Sequence, residues 1–299
     1  MGARLALALL AALGAVLAAC GGGGPVAPGT GGPGDPDARR LLPTNAAAVE
    51  FLVDLAGTDE VVGLPYTALE FCCVDLGDLP ERVPTFTEFS AEVLLSFAPD
   101  LVVVSPWQNI DAVDRLEEAG VEVVVLPAVE GLEDVRRGLV EVGAALGADA
   151  RAAALLADLD GRVAALTERV AARPGPRPRA LSYTNYGSGG WGAGAGTTAA
   201  LVMELAGLDN ALAETGRTGH DAVDLAQLLD LDPDLYVVSK PSETYGVTRA
   251  YLEGEAALAG TRAVAGGAIA EVPANLYSTT SHHLVRAAEA LADAVEALE

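Results

Sequence analysis

Residues 90–105 read Ser-Ala-Glu-Val-Leu-Leu-Ser-Phe-Ala-Pro-Asp-Leu-Val-Val-Val-Ser. Residues 224–239 repeat the plan as Asp-Leu-Ala-Gln-Leu-Leu-Asp-Leu-Asp-Pro-Asp-Leu-Tyr-Val-Val-Ser. Each copy is a helical stretch, a Pro-Asp pair and a continuous apolar run that closes on Ser. Proline cannot continue a helix, and the following Asp can accept main-chain hydrogen bonds in a turn. A Val/Leu run between helices reads as a strand of a parallel sheet covered on both faces. A duplication of this size predicts two similar lobes and not a solenoid.

Outward from these phrases, helical and strand-like segments alternate along the chain. In the first half, a helix from near Asn45 ends at Gly57, and Glu60–Leu64 reads as a short strand. Asp111–Ala119 is a helix stopped by Gly120, and Val121–Leu126 is another buried run. The second half opens on a strand at Arg179–Thr184, followed by a Gly-rich loop to Gly196 and a helix over Thr197–Ala206. A helix over Val223–Leu231, strands at Leu235–Ser239 and Ala268–Val272 and a final helix over Ser281–Leu298 complete the pattern. Between the halves, Asp149–Arg173 places Leu155, Leu159, Val163, Leu166 and Val170 on one apolar stripe, and Pro174-Gly175-Pro176 stops it. At 1.5 Å per residue such a helix is about 37 Å long, suited to bridge two lobes. The expected fold is α/β: two Rossmann-like lobes with parallel sheets joined by one long bridging helix. The boundaries fall at 39–148, 149–173 and 174–299.

Before residue 39 the chain has a different character. Arg4 and an apolar run from Leu5 to Leu17 lead into Leu17-Ala18-Ala19-Cys20, then Gly21–Gly24 and a Pro/Gly-rich tail. A basic start, a short apolar stretch and small residues describe an export signal, too short to span a bilayer. The Leu-Ala-Ala-Cys ending resembles the bacterial lipobox, which implies a signal peptide over 1–19, lipidation of Cys20 and a tether over 20–38. The mature protein is then expected outside the cytoplasm, held to the cell membrane by lipid alone. The formal net charge of −24 argues against nucleic acid, whose phosphates reward Lys and Arg. Its plainest meaning is solubility, with a basic partner or salty surroundings as other readings. After Cys20 only Cys72 and Cys73 remain, so this is no disulfide scaffold. They read as two packed or free thiols, or as a vicinal disulfide.

Two such lobes behind a lipobox resemble the substrate-binding proteins of ABC importers for cobalamin, haem and iron–siderophore complexes. The similarity runs from about Arg40 to the C-terminus, through phrases such as Thr58–Gly63, Gly120–Val125, Val142–Gly147 and Glu204–Asn210. The resemblance implies a monomer that captures a small molecule between its lobes and delivers it to an ABC permease. It also implies docking carboxylates at the start of the helix before each Pro-Asp turn. Glu92 stands there in the first lobe, whereas Ala226 stands in the second, with Asp224 one turn earlier as a substitute.

Ligands of open α/β sheets bind outside the carboxyl ends of the strands. Thr44, Asn45, Tyr66, Phe86, Trp107, Gln108 and Asn109 fall on such loops in the first lobe. Tyr183, Tyr186, Trp191, His220, Lys240, Tyr245 and Tyr277 do so in the second. Loop aromatics suggest a flat amphipathic ligand, and the resemblance aligns Phe86, Trp191 and His220 with stacking positions of cobalamin-binding relatives. His220 could ligate haem iron or cobalt, although a capping or surface role is the plainer reading. Cations are scarce on these loops, which favours a corrinoid, haem or hydroxamate complex over an anionic catecholate. No resident cofactor or metal is expected. His282 and His283, read as first-turn residues of the last helix, point about 100° apart and do not grip one ion.

The competing class is an exported enzyme. Gly190-Trp191-Gly192-Ala193-Gly194-Ala195, within loop 187–196, fits a loose dinucleotide fingerprint. The loop is longer than the tight turn that a pyrophosphate needs, and no G-x-S-x-G, phosphate-loop or H-E-x-x-H pattern occurs. The expectation is a protein without catalysis. A two-lobe sensor lipoprotein without a transporter is a third reading.

Overall fold

The computed structural model describes residues 38–187, 189–242 and 247–298. The expected signal peptide, Cys20, the expected tether up to residue 37 and Tyr245 lie outside the described residues.

The first lobe is built on β1 (Leu41–Pro43), β2 (Leu64–Pro65), β3 (Thr85–Phe86), β4 (Leu101–Val104) and β5 (Glu122–Val125). β1, β4 and β5 form a parallel sheet in the order β1-β4-β5, while β2 and β3 pair in parallel beside it. Of the expected strand at 60–64, Val61 only bridges Leu41, and the paired residues are Leu64 and Pro65. The run at 121–126 is an edge: Glu122 and Val125 of β5 are exposed, because no further strand covers that side among the described residues.

The second lobe carries β6 (Arg179–Asn185), β7 (Gly190–Ala193), β8 (Asp209–Asn210), β9 (His220–Ala222), β10 (Leu235–Ser239) and β11 (Ile269–Val272). Their order is β11-β10-β6-β7-β9, with β8 beside the start of β6. β10 runs parallel to both β6 and β11. β7 runs antiparallel to β6 and to β9, so this sheet is mixed and not purely parallel. The cause lies in the glycines. A Cβ on Gly190 would stand 1.8 Å from the Tyr183 hydroxyl, and one on Gly194 would stand 2.5 Å from the Arg217 carbonyl oxygen. Only glycine lets the chain fold back this closely, and the expected loop therefore contains a strand.

The duplicated phrases have the same structure. The helices Ala91–Ser96 and Leu225–Leu231 each lead through a Pro-Asp turn into β4 and β10. Ala98 and Asp232, which precede the two prolines, are the described non-glycine residues with positive φ, at 45° and 32°. A residue before proline is pushed out of the right-handed helical region, and here both copies turn left to end the helix.

The bridging helix spans Asp149–Ala171. Ala152, Leu155 and Leu156 pack into the first lobe's core with Leu52, Leu55 and Val142. Further along, Leu159, Val163, Leu166 and Val170 pack into the second lobe's core with Met203, Ala288 and Leu291. Ion pairs from Arg162 to Glu289 and from Arg169 to Asp293 and Glu296 fasten it to the closing helix, Leu284–Glu296.

A polar seam also joins the lobes. Glu50, on the first helix (Ala46–Ala56), is 0% exposed. Its Oε1 accepts from the Cys73 main-chain N–H at 3.0 Å and from the Cys73 thiol at 3.1 Å. Its Oε2 accepts from the Thr279 hydroxyl at 2.7 Å and from the Ser281 hydroxyl. Four donors match the acceptor capacity of a carboxylate. Arg286 adds a bond from Nη1 to the Cys73 carbonyl at 3.0 Å. Cys72 and Cys73 are unbridged, and burial pushes the Cys72 thiol up to about 12.

Candidate functional site

The loops that follow the strands of both lobes enclose a crevice of about 600 Å³. The first lobe contributes Asn45–Ala47 after β1, Ser105–Trp107 after β4 and Leu126–Val129 after β5. The second contributes Gly196–Thr198, Gly219–His220, Ser278 and Thr280. A side compartment of about 240 Å³ shares Thr198, His220, Ser278 and Thr280 and adds Tyr186, Trp191 and Tyr277.

Two helices begin at this crevice, one from each lobe. Asn45 caps the first helix by accepting from the Ala48 N–H at 2.9 Å. Thr197 caps the helix Thr198–Leu205 by accepting from the Ala200 N–H at 3.1 Å. Both helix N-termini thus present partial positive charge to the cavity. The described lining residues of the two compartments include no Lys, Arg, Asp or Glu. Such walls suit an amphipathic ligand that is neutral or weakly anionic.

Trp107 is 82% exposed on its loop, and Trp191 is 48% exposed on β7. Neither indole fills a core. Tyr186 and His220 are also exposed at the walls. Tyr277 is held at the base of the side compartment, its hydroxyl 2.9 Å from the Ser182 Oγ and 3.2 Å from the Thr184 Oγ1. Six of the expected contacts, Asn45, Trp107, Tyr186, Trp191, His220 and Tyr277, therefore line these two compartments.

Other expected residues do not line it. Phe86 packs on Phe97, ring centroids 5.3 Å apart, within the first lobe's hydrophobic cluster. Tyr66 is exposed at the end of β2, and Lys240 is exposed after β10, both outside the described walls. Thr44 is buried, donating to the Val103 carbonyl, and Asn109 caps the helix Ile110–Glu118. Tyr183 faces away from the crevice and packs with Tyr236 and Tyr251, since alternate side chains of a strand point to opposite faces. Residues missed by sequence reasoning include Phe71, Pro127 and the hydroxyls of Ser278 and Thr280. The run Ser278–Ser281, directly after Tyr277, was the available signal.

The Gly-rich segment is not a phosphate cradle. Its main chain is engaged in pairing with β6 and β9, and Gly194 and Ala195 donate to the carbonyls of Gly219 and Arg217. His282 and His283 correct another expectation. They precede the closing helix, and both Nε2 atoms meet Asp54 Oδ2, at 2.8 and 2.7 Å. Burial favours the uncharged Asp54 carboxyl, but the two imidazole hydrogen bonds outweigh it and hold the group well below its usual range.

Two lobes of α/β structure, joined by one helix and separated by an aromatic crevice without Lys, Arg, Asp or Glu among its described lining residues, have the form of a receptor for a small solute. Residues 44–276 match the family described as periplasmic binding protein, and the chain belongs to that family. A cobalamin-binding protein of Halobacterium salinarum is 26% identical over 268 residues, covering 87% of this chain and 70% of that protein. The haem-binding protein BhuT, solved with two haems, is 26% identical over 86% of this chain and 99% of its own, with a TM-score of 0.73. A periplasmic haem-binding protein from Pseudomonas aeruginosa is also 26% identical, over 86% of this chain and 92% of its own, with a TM-score of 0.73.

Proposed function

We propose that this protein is a lipid-anchored, extracytoplasmic monomer that captures a corrinoid, haem or iron–siderophore complex between its lobes and delivers it to an ABC importer. The observation that carries the ligand class is the crevice itself, with two exposed indoles and no Lys, Arg, Asp or Glu among its described lining residues. Indole and phenol faces stack on the flat face of a macrocycle, and His220 offers an imidazole to a metal centre. Walls without Arg or Lys among the described residues favour a ligand of low net charge, and the two helix N-termini accommodate a side-arm carboxylate or phosphate. Relatives that bind cobalamin and haem support the same class.

Delivery is assigned to the starts of the helices that precede the two Pro-Asp turns. Glu92 is exposed in the first turn of the helix Ala91–Ser96 and is free of a capping role, which Ser90 performs. Asp224 is exposed, but its Oδ1 caps the Gln227 N–H at 2.9 Å and Gln227 answers to the Asp224 N–H at 2.8 Å. Glu92 is accordingly the principal docking carboxylate and Asp224 the secondary one.

The test is tryptophan fluorescence of the purified protein titrated with cobalamin, haemin and a ferric hydroxamate. Saturable quenching by one of them at micromolar concentration or below is the expected result. No saturable quenching by any would overturn the ligand assignment and leave a different small solute.

A further inference from the structure

Asp54, His282 and His283 stand apart from the ligand crevice. Asp54 lies on the first helix, whose opening residues Asn45–Ala47 line the crevice wall. Asp54 stands seven positions beyond Ala47, so the cluster sits about 10 Å further down the helix axis. The histidines follow Ser278 and Thr280, the part of the second lobe that meets the crevice floor. One ligand atom therefore comes from the first lobe and two from the second.

We propose that these three residues form a divalent transition-metal site, of zinc-type chemistry, that clips the two lobes together beneath the crevice. One nitrogen of each ring and one carboxylate oxygen all lie within 4.8 Å of one another. Two imidazole nitrogens and a carboxylate oxygen are the donor set of zinc and of ferrous, cobalt and nickel ions. Tetrahedral zinc with bonds of about 2.0–2.1 Å needs its ligand atoms about 3.3 Å apart. The present contacts of 2.8 and 2.7 Å would have to open by only about half an ångström.

A metal takes the lone pair of a neutral ring, never of an imidazolium. His282 is 6% exposed, and burial depresses its pKa and disfavours the charged ring. Its Nδ1 is buried without a partner, so a second ring proton would find no acceptor. On metal binding each ring shifts its one proton from Nε2 to Nδ1, with no change of oxidation state; the buried Nδ1–H of His282 then lacks an acceptor, a cost that the metal bond has to offset. The Asp54 side chain retains 24% exposure, which leaves a path for the ion and for a water as fourth ligand. Glu50, one turn earlier on the same helix, adds negative charge, while Arg286 spends its Nη1 on the Cys73 carbonyl and Arg151 its Nε on the Asp54 carbonyl.

The test uses the whole protein, freed of metal by chelator and titrated with zinc chloride by calorimetry. The expected result is one zinc per chain, a raised melting temperature, and retention of both in His220→Ala, which removes the one histidine outside the cluster. His283→Gln and Asp54→Asn should weaken binding by more than the 10–100-fold that loss of an outer-shell partner costs. Should Asp54→Asn fail to fold, His283→Gln decides, and Co²⁺ added to the unaltered protein gives an independent reading. Four-coordinate visible bands without thiolate charge transfer support the site. Thiolate charge transfer would move the ion to Cys72 and Cys73 and overturn the proposal. Absence of zinc binding, or unchanged affinity in a folded His283→Gln, would equally overturn it and leave a hydrogen-bonded latch.

Discussion

Asp100 and Asp234 hold the same post in the two lobes. The Asp100 carboxylate accepts the main-chain N–H of Arg40 at 2.8 Å, and the Asp234 carboxylate accepts that of Arg179 at 2.8 Å. In return, each aspartate's own N–H donates to the carbonyl of the same arginine. The Pro-Asp turn is thus a clasp that sets the register between the lobe's first strand and the strand after the turn. Side chains extend the clasp: Arg40 donates to the carbonyls of Phe97 and Ala98 at the end of one helix, and Arg179 reaches the Leu231 carbonyl at the end of the other.

Asp234→Ala should therefore destabilise the second lobe. Asp234 is partly exposed, so the loss belongs at the lower end of a charge-assisted bond, about 1–2 kcal/mol. A urea-unfolding midpoint measures it. No change in midpoint would mean that strand pairing alone sets the register.

Glu50→Gln tests the seam. An amide nitrogen in place of one oxygen would face a donor, and the Cys73 N–H and thiol cannot both turn away. An unsatisfied buried donor costs about 1–3 kcal/mol, so the expected loss is about 2 kcal/mol in denaturant unfolding. A neutral outcome would show that water or rotated hydroxyls absorb the change.

At the crevice, Trp191→Ala should weaken ligand binding by about tenfold, the upper range of one aromatic stacking contact. Trp107→Ala should abolish most of the remaining ligand-induced quenching, because Trp107 and Trp191 are the two tryptophans. Unchanged affinity in both variants, by the same titration, would remove the indoles from the binding surface.

Acid should weaken the seam in two stages. The folded pKa of His282 lies below its ordinary 6.5, so the unfolded chain takes up more protons and stability is lost as pH falls below 6.5. Asp54 lies below its ordinary 3.8, so its contribution is present above that value and is lost as pH falls further. Melting temperatures in chelator from pH 7.5 to 3 would trace the first stage and the onset of the second. His282→Gln should flatten the first stage and, by removing one of the two imidazole bonds to Asp54, shrink the second.

The lobes and the helix between them were legible because their signals are local: a stripe at steps of three and four, and two Pro-Asp phrases. β7 was not. Gly190, Gly192 and Gly194 carry no side-chain pattern, and their meaning lies in how closely Tyr183, Leu212 and the Arg217 carbonyl approach them. The same limit applied to the site. Trp107, Trp191, His220 and Tyr277 could be placed by counting residues after strands, yet Tyr183 and Phe86, chosen by the same rule, turned into cores. His282 and His283 were misread because the helix begins at Leu284, one residue after the pair. Their meeting on Asp54 spans more than two hundred residues and leaves no mark in the nearby sequence.

The bridging helix belongs to both cores at once. Ala152 and Leu155 complete the packing of one lobe, and Leu159 and Leu166 that of the other. Each half of this duplicated chain therefore relies on a wall that the other half also uses. A cut between them would leave two fragments with an open apolar side, so the two halves are expected to unfold in one cooperative step.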